Sequence, residues 1–277
     1  MPGDATRTVF VLVTDDLLVE PDETFYLRLA NPVHASIGPM PIEGVIQDQD
    51  AAPPGIRGEL SHGRQVLDDL RGTDLYRDGY HLVQQRRSSY EAVVDAASGD
   101  VDPLVLRRVD CDGTVLQESV ATGTGMSRAL RWQHLHPVPS ADESILVQSG
   151  GCTTNCGPDD VYRLRFYETT GSLARINNTG SQVTVVVLQN TTGAPIQGGL
   201  HFWTGAGATS AAAGPTFALP PRGSVTFNIA ALPGLAGFTG TATVTHDGPY
   251  GALAGKAVAL EPATGFSFDT LLLYRPR

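Results

Sequence analysis

The stretch Tyr162-Arg163-Leu164-Arg165-Phe166 decides the fold class, because apolar and charged residues alternate through it without interruption. Successive side chains of a β-strand point to opposite faces of the sheet. Tyr162, Leu164 and Phe166 should therefore face a core. The two arginines between them should face solvent. The stretch predicts a half-buried strand.

Six similar short segments precede this strand in residues 58–168, and turn residues such as Ser98-Gly99, Asp112-Gly113 and Gly157-Pro158 separate them. Seven short strands at this spacing are typical of an antiparallel sandwich or jelly roll. The six segments are Tyr80–Val83, Tyr90–Val94, Leu104–Leu106, Thr114–Gln117, Ala129–Trp132 and Ile145–Val147.

Residues 169–277 predict a second sandwich-like domain. Gln182–Leu188 is nearly all β-branched, which is typical of a central strand, and residues 225–229 alternate between apolar and polar. Gly205–Pro215 is a low-complexity run of small residues and predicts a loop. Helix signals are almost absent along the whole chain, so the predicted fold class is all-β.

The charge of the chain is concentrated at its beginning. Residues 1–50 carry nine acids against two arginines, a net −7, whereas residues 169–277 carry three acids against five bases, a net +2. Nucleic-acid binding needs clustered Lys or Arg, so the acidic beginning argues against a nucleic-acid partner. No apolar run approaches the roughly 20 residues of a membrane-spanning helix, so we also expect no transmembrane segment.

The acidic beginning is itself built like a β-segment. Residues 7–14 and 24–30 alternate as strands, an acidic loop joins them, and Ile42–Ile46 is a short apolar segment. Ala51–Gly55 has the composition of a linker. The predicted organisation is therefore a segment at 1–50, a linker at 51–57, and two sandwiches at 58–168 and 169–277.

Four motifs follow one another in this first segment. They are Pro2–Val11, then Asp15-Asp16 followed by Val19–Phe25, then Leu29–Pro32, and then Gly44–Asp50. Their order resembles the C-terminal half of a Calx-beta domain. The resemblance covers under a fifth of the chain and implies only the last few strands of an antiparallel sandwich. Such a segment is marginal alone, so we expect the chain to be the C-terminal part of a larger protein whose signal peptide lies in the missing N-terminal part.

The Calx-beta resemblance implies calcium, bound by loop carboxylates at one end of the sandwich. Carried over by position, the ligands would be Asp15, Asp16 and Glu20 from the acidic loop. Asp48 and Asp50 would follow from the segment after the last strand. Calcium takes six to eight oxygen ligands, so the missing half of the domain would complete the site. The alternative is a solvated acidic edge that keeps strand ends soluble.

A second series of motifs lies within the first sandwich. It consists of Asp78–Leu82, Ser89–Val94, Pro103–Leu106 and Asp112–Leu116. Their order is similar to bacterial pre-peptidase C-terminal domains, over about residues 74–149. Such domains accompany secreted enzymes and are not catalytic themselves.

The three cysteines bear on the compartment. Cys152 and Cys156 lie in a turn-rich loop, where a local disulfide would imply an oxidising compartment. Free thiols are the alternative, and a zinc site is disfavoured because this pair supplies two of the four ligands it needs. Cys111 is then expected to be a buried or half-buried thiol.

Two histidine motifs are candidate sites. His134 and His136 share one face of a strand, as in half a zinc site, but a polar outer face is the favoured interpretation. His246-Asp247 contains two members of a hydrolytic triad, yet no Gly-x-Ser-x-Gly motif accompanies it, and the sequence around it favours a turn. We therefore predict that the chain is not an enzyme.

Aromatic residues raise the question of carbohydrate binding. Five of them could supply a platform for sugars, although core packing is the favoured interpretation. They are Trp132, His201, Phe202, Trp203 and Tyr250.

These patterns predict a non-catalytic, secreted or cell-surface bacterial protein with a calcium-supported structural or adhesive role. Surface proteins and glycans are its candidate partners. The alternatives are an accessory C-terminal region of a secreted hydrolase such as a peptidase, and a carbohydrate-binding module.

Overall fold

A computed structural model describes residues 23–29, 33, 41–46, 56–70, 77–99, 101, 103–120, 127–149, 156–205 and 211–277. The regular secondary structure of the described residues consists of strands, with one 3₁₀ turn at Ile229–Ala231. They confirm the all-β class. The chain divides into two units, residues 1–54 and residues 55–277.

The first unit contains an antiparallel ribbon of β1 (Glu23–Leu27) and β2 (Ile42–Ile46). Phe25 lies opposite Gly44, and a side chain at Gly44 would collide with the Phe25 ring, so glycine lets the ring lie across its partner strand. The predicted strand at 24–30 is thereby confirmed over its first four residues. The predicted strand at 7–14 and the acidic loop lie outside the described residues.

The second unit begins with a sandwich of nine strands in two sheets. One sheet has the order β3-β5-β10-β7-β8 and the other has the order β4-β11-β6-β9. The β3–β5 pair is parallel, and the other described pairs are antiparallel. The strands are β3 (Ile56–Leu60), β4 (Gln65–Asp69), β5 (Arg77–Gln84), β6 (Ser88–Ala96), β7 (Leu104–Val109), β8 (Val115–Val120), β9 (Arg128–His134), β10 (Ser140–Ser149) and β11 (Val161–Glu168).

The alternation in β11 is confirmed by burial. Tyr162, Leu164 and Phe166 are at most 1% exposed and lie in the core of this sandwich. The two arginines between them lie on the outer face, partly exposed, and pair with the carboxylate of Asp95 on β6. The seven predicted strands correspond to β5–β11. The sequence patterns did not identify β3 and β4, and β3 begins at Ile56, within the stretch expected to be a linker.

A second sandwich follows directly. Its sheets have the orders β12-β17-β14-β15 and β16-β13-β18-β19. It has a separate core that includes Val186, Leu200 and Phe202. The strands are β12 (Gly171–Asn177), β13 (Val183–Asn190), β14 (Ile196–Trp203), β15 (Ala211–Leu219), β16 (Ser224–Asn228), β17 (Thr239–His246), β18 (Leu253–Leu260) and β19 (Ser267–Leu271).

Two predictions for this sandwich have different outcomes. The β-branched stretch Gln182–Leu188 corresponds to β13, which lies between β16 and β18, as expected of a central strand. The loop predicted at Gly205–Pro215 is wrong from Ala211 onward, because those small residues pair with β14. A side chain at Gly214 would collide with the Phe202 ring, so the small residue is what allows β15 to lie close to β14. Among the described residues, no helix is long and apolar enough to span a bilayer.

Candidate functional site at the junction of the two sandwiches

The predicted calcium ligands Asp15, Asp16, Glu20, Asp48 and Asp50 lie outside the described residues, so calcium binding stays a prediction. Within the described part of the chain, no three His, Cys, Asp or Glu side chains are placed to hold a metal ion.

His134 and His136 stack with their ring centroids 5.7 Å apart, which agrees with the shared face predicted for them. His134 is buried and donates from Nε2 to the carbonyl oxygen of Val138 at 3.0 Å. The neighbouring Glu143 is ion-paired with Arg108 at 2.8 Å. These contacts give the histidine pair a structural role in this part of the sandwich.

The cysteines are only partly described. Cys156 is buried and disulfide-bonded, and Cys152 lies outside the described residues, so their pairing stays a prediction. The expectation of a buried Cys111 is wrong. Cys111 is exposed because it lies in the turn that joins β7 to β8.

The five aromatic residues do not form one exposed platform. Trp132 and Phe202 are core residues, and the Trp132 indole donates to Gln84 Oε1 at 2.6 Å. Trp203 lies on the opposite face of β14 from Phe202, and the Arg86 guanidinium lies 4.9 Å from its ring centroid.

His246 and Asp247 do not bind each other in the described structure. His246 is fully buried, and its Nδ1 accepts from the backbone N–H of Gly248 at 3.1 Å. Asp247 Oδ1 accepts from the backbone N–H of Gln197 at 2.7 Å. Burial lowers the pKa of His246 to about 4, so its ring is neutral at pH 7. The turn predicted at His246–Tyr250 is confirmed, and the hydrogen bonds of both side chains stabilise it.

The structure instead brings functional groups together where the two sandwiches meet. Glu91 on β6 is 3% exposed, and its Oε1 accepts from Arg131 on β9 at 2.8 Å. Its Oε2 accepts from the backbone N–H of Tyr250, in the second sandwich, at 3.0 Å. Both oxygens of a buried carboxylate are thereby satisfied, one from each sandwich.

A second polar connection runs from Arg87 through His201 and Thr245 to Gln133. Thr245 Oγ1 donates to Gln133 Oε1 at 2.7 Å, so the same hydroxyl oxygen accepts from His201 Nε2–H at 3.1 Å. His201 Nδ1 then accepts from Arg87 Nη1 at 3.4 Å. The hydrogen bonds thus assign the Nε2–H tautomer to His201. Burial, and then the nearby charge of Arg87, lower the pKa of His201 to about 4.

Residues 274–277, here named the C-terminal strap, lie across the same junction. His62 Nδ1 accepts from the backbone N–H of Glu168, so its Nε2–H donates to the carbonyl oxygen of Pro276 at 2.8 Å. Arg275 pairs with the Glu168 carboxylate at 3.0 Å. The strap therefore ties the second sandwich to the first through several separate contacts.

The last residue of the strap sits between two tyrosines. The guanidinium of Arg277 is 4.5 Å from the ring of Tyr167, in the first sandwich, and 4.4 Å from that of Tyr250, in the second. Tyr250 also donates to the carbonyl oxygen of Arg275. One cation thus contacts an aromatic ring from each sandwich.

A cleft of about 610 Å³ opens beside this junction. Its floor is formed by β14 and β15, and its opposite wall by Arg87, Gln133 and Leu135 of the first sandwich. Sequence reasoning singled out His201 but missed the others, because they come together only when the two sandwiches pack. No pattern in the sequence links Arg87 to Gly199, which is more than a hundred residues away.

No family model matches the chain, and no curated protein matches it. The resemblances to Calx-beta and pre-peptidase C-terminal domains therefore rest on the motifs quoted above.

Proposed function

We propose that the chain is a non-catalytic structural and adhesive region that works outside the cell, supported by calcium at its beginning. The observation that carries the structural part is the junction, where Glu91 and the C-terminal strap hold two sandwiches in one unit. A region that transmits force or spaces a binding surface needs its domains held together in this way. The groups that resemble catalytic residues, such as His246, are engaged in structural hydrogen bonds.

Two further observations support the extracellular and adhesive parts. Cys156 is disulfide-bonded, and disulfides persist in oxidising compartments outside the cytosol. Sandwiches in series, preceded by a segment that resembles a Calx-beta domain, are the organisation we expect of a surface protein. Calcium binding by the acidic loop would stabilise that first segment.

Removal of residues 275–277 is the direct test of the junction. We expect residues 55–277 of the intact chain to unfold in one calorimetric transition. The same region of the shortened chain should show two, because it loses the Arg275–Glu168 ion pair and the contacts of Arg277 with the Tyr167 and Tyr250 rings. The cation–π contacts of Arg277 alone should contribute about 1 kcal/mol to the stability of the junction.

The control for this deletion is Lys256→Met. It breaks an exposed ion pair with Asp269 inside the second sandwich and should leave residues 55–277 with a single transition. Two transitions for residues 55–277 of the intact chain, or one for the same region of the shortened chain, would contradict the proposed role of the strap.

Calcium is tested by thermal unfolding of the whole chain with calcium chloride and with a chelator. We expect calcium to raise the melting temperature of the first unit, because a ligand that binds only the folded state stabilises it. The double variant Asp15→Asn/Asp16→Asn should lose the shift. Asp110→Asn/Asp112→Asn, an acidic pair in an exposed turn, should keep it. The proposed calcium binding is contradicted if calcium does not raise the melting temperature of the first unit, either in this chain or in a form extended to complete the predicted sandwich.

A further inference from the structure

We propose that the cleft at the junction binds a small ligand that carries a carboxylate on a flat ring, with Arg87 as its charge partner. This inference is separate from the calcium-supported role proposed above. It rests on the shape of the cleft, its charge and its hydrogen bonds.

The centre of the cleft floor carries only small side chains. It is formed by Gly199 on β14 and by Ala213, Thr216 and Ala218 on β15, with Gln197 and His201 on either side of Gly199. A Cβ placed at Gly199 would meet no atom closer than 3.8 Å, so the space above this glycine is open. A volume of about 610 Å³ is within the range of small-molecule sites.

A bulge in β15 shapes this floor. Gly199 pairs with Thr216, and His201 pairs with Ala213. The step between these two pairs is two residues on β14 and three on β15, so β15 contains one extra residue. The extra residue falls at Gly214-Pro215, on the edge strand of the sheet, where proline is tolerated. Bulges of this kind often lie beside binding sites, because they redirect the side chains around them.

The charge of the cleft is opposite to that of the chain. The whole chain has a formal net charge of −10, yet the described residues that line the cleft include Arg87 and no acid. Among the described residues, no carboxylate pairs with Arg87, which is half-buried. A half-buried guanidinium without a counter-charge has the charge to pair with an anionic ligand, and its planar fork of N–H groups matches a carboxylate.

Hydrogen bonding positions this guanidinium. Neutral His201 accepts one of its N–H groups at Nδ1, which leaves the others for a ligand. Because the His201 ring is itself held by Thr245, Arg87 is anchored at one end to the second sandwich. The backbone of Arg87 adopts a φ of 48°, a left-handed conformation that side chains other than glycine seldom adopt.

The rest of the lining selects the body of the ligand. Leu135, Ala213 and Ala218 give the cleft exposed apolar surface beside its one charge. A flat ring would cover the glycine floor while its carboxylate meets Arg87. An aromatic acid and a uronic acid share this chemistry, so the experiment must separate them.

The test is an NMR titration of the ¹⁵N-labelled whole chain with sodium benzoate and with sodium glucuronate. Benzamide and glucose are the uncharged comparators. We expect the amide signals of Gly198, Gly199 and Arg87 to shift saturably with at least one carboxylate and not with its uncharged comparator. The carboxylate that saturates at the lower concentration identifies the ring, aromatic or sugar.

Variants then assign the site. Arg87→Gln should weaken binding at least tenfold, because it removes the charge that pairs with the carboxylate. Arg222→Gln is the matched control, since Arg222 is also an arginine in a hairpin turn with a positive φ, of 61°, and lies outside the cleft. Gly199→Val fills the floor without changing any charge and should abolish binding.

The proposal is overturned if neither carboxylate gives a saturable shift. It is also overturned if each uncharged comparator binds as well as its carboxylate, or if Arg87→Gln and Gly199→Val both bind like the unaltered chain. Retained chemical shifts in the rest of the spectrum establish that each variant is folded.

Discussion

Tyr162→Phe is expected to lower the free energy of unfolding by about 3 kcal/mol, because one hydroxyl satisfies two buried groups. The Tyr162 hydroxyl donates its hydrogen to Asp78 Oδ2 at 2.8 Å. The Tyr80 hydroxyl, which is hydrogen-bonded to the hydroxyl oxygen of Tyr162, must therefore be the donor to that oxygen. Arg57 donates to the other carboxylate oxygen of Asp78 at 3.0 Å. Asp78 and Tyr80 on β5 and Tyr162 on β11 are fully buried. Arg57, on β3, is the last member of this series of hydrogen bonds.

Phenylalanine at position 162 would leave a carboxylate oxygen and a hydroxyl without partners inside the core. Burial already raises the pKa of Asp78, and the Tyr162 and Arg57 bonds oppose that rise. Loss of the Tyr162 bond should raise this pKa further. Because a raised carboxyl pKa costs stability as the pH increases, the variant should be more destabilised at pH 7 than at pH 4.

Tyr80→Phe is the matched control. It deletes the same atom from the end of the chain of hydrogen bonds, and Tyr162 keeps its bond to Asp78. We expect a loss of about 1 kcal/mol, measured like the first by urea unfolding. Equal losses for the two variants would mean that Tyr162 does not connect the other two groups.

Lowering the pH from 7 to 4 is expected to remove roughly 3 kcal/mol of stability through His246 alone. The ring is fully buried, and burial lowers its pKa from 6.5 to about 4. Between these two values the unfolded chain binds a proton that the folded chain does not. Stability is therefore complete above pH 6.5 and is lost as the pH falls through 4.

His246→Gln should flatten this dependence, which urea unfolding at pH 7, 6, 5 and 4 would measure. His201 titrates in the same direction, since its pKa is also lowered to about 4, so His201→Gln/His246→Gln should flatten it further. Asp78 has the opposite sign and is unchanged in both variants, so the difference from the unaltered chain isolates the histidines. Parallel curves for all three proteins would contradict the assignment.

The sandwich fold follows from local patterns. Two local patterns can be recognised in the sequence. Alternation at Tyr162, Leu164 and Phe166 shows which face of that strand is buried, and the β-branched run of β13 indicates a central strand. The loop predicted at 205–215 failed for a tertiary reason. Small residues are usual in loops, but here they let β15 pair closely with β14.

Neither the buried hydrogen bonds of Asp78 nor the junction could be predicted in the same way. Asp78 and Tyr162, inside the first sandwich, are 84 residues apart, and Glu91 and Tyr250, across the junction, are 159 apart. Each of these residues is ordinary in its own sequence neighbourhood, and its role comes from a partner that only the complete fold supplies. The cleft combines a turn of the first sandwich with a sheet of the second, so its charge and shape could not be predicted from the sequence either.

The position of the strap has a consequence for synthesis of the protein. A ribosome delivers residues 56–168 well before residues 274–277, and domains generally fold in that order. The first sandwich must therefore exist for a time with the surface around Glu91, Gln133 and Tyr167 uncovered. That surface carries a carboxylate, an amide and a phenol, which water can hydrate until the second sandwich covers them.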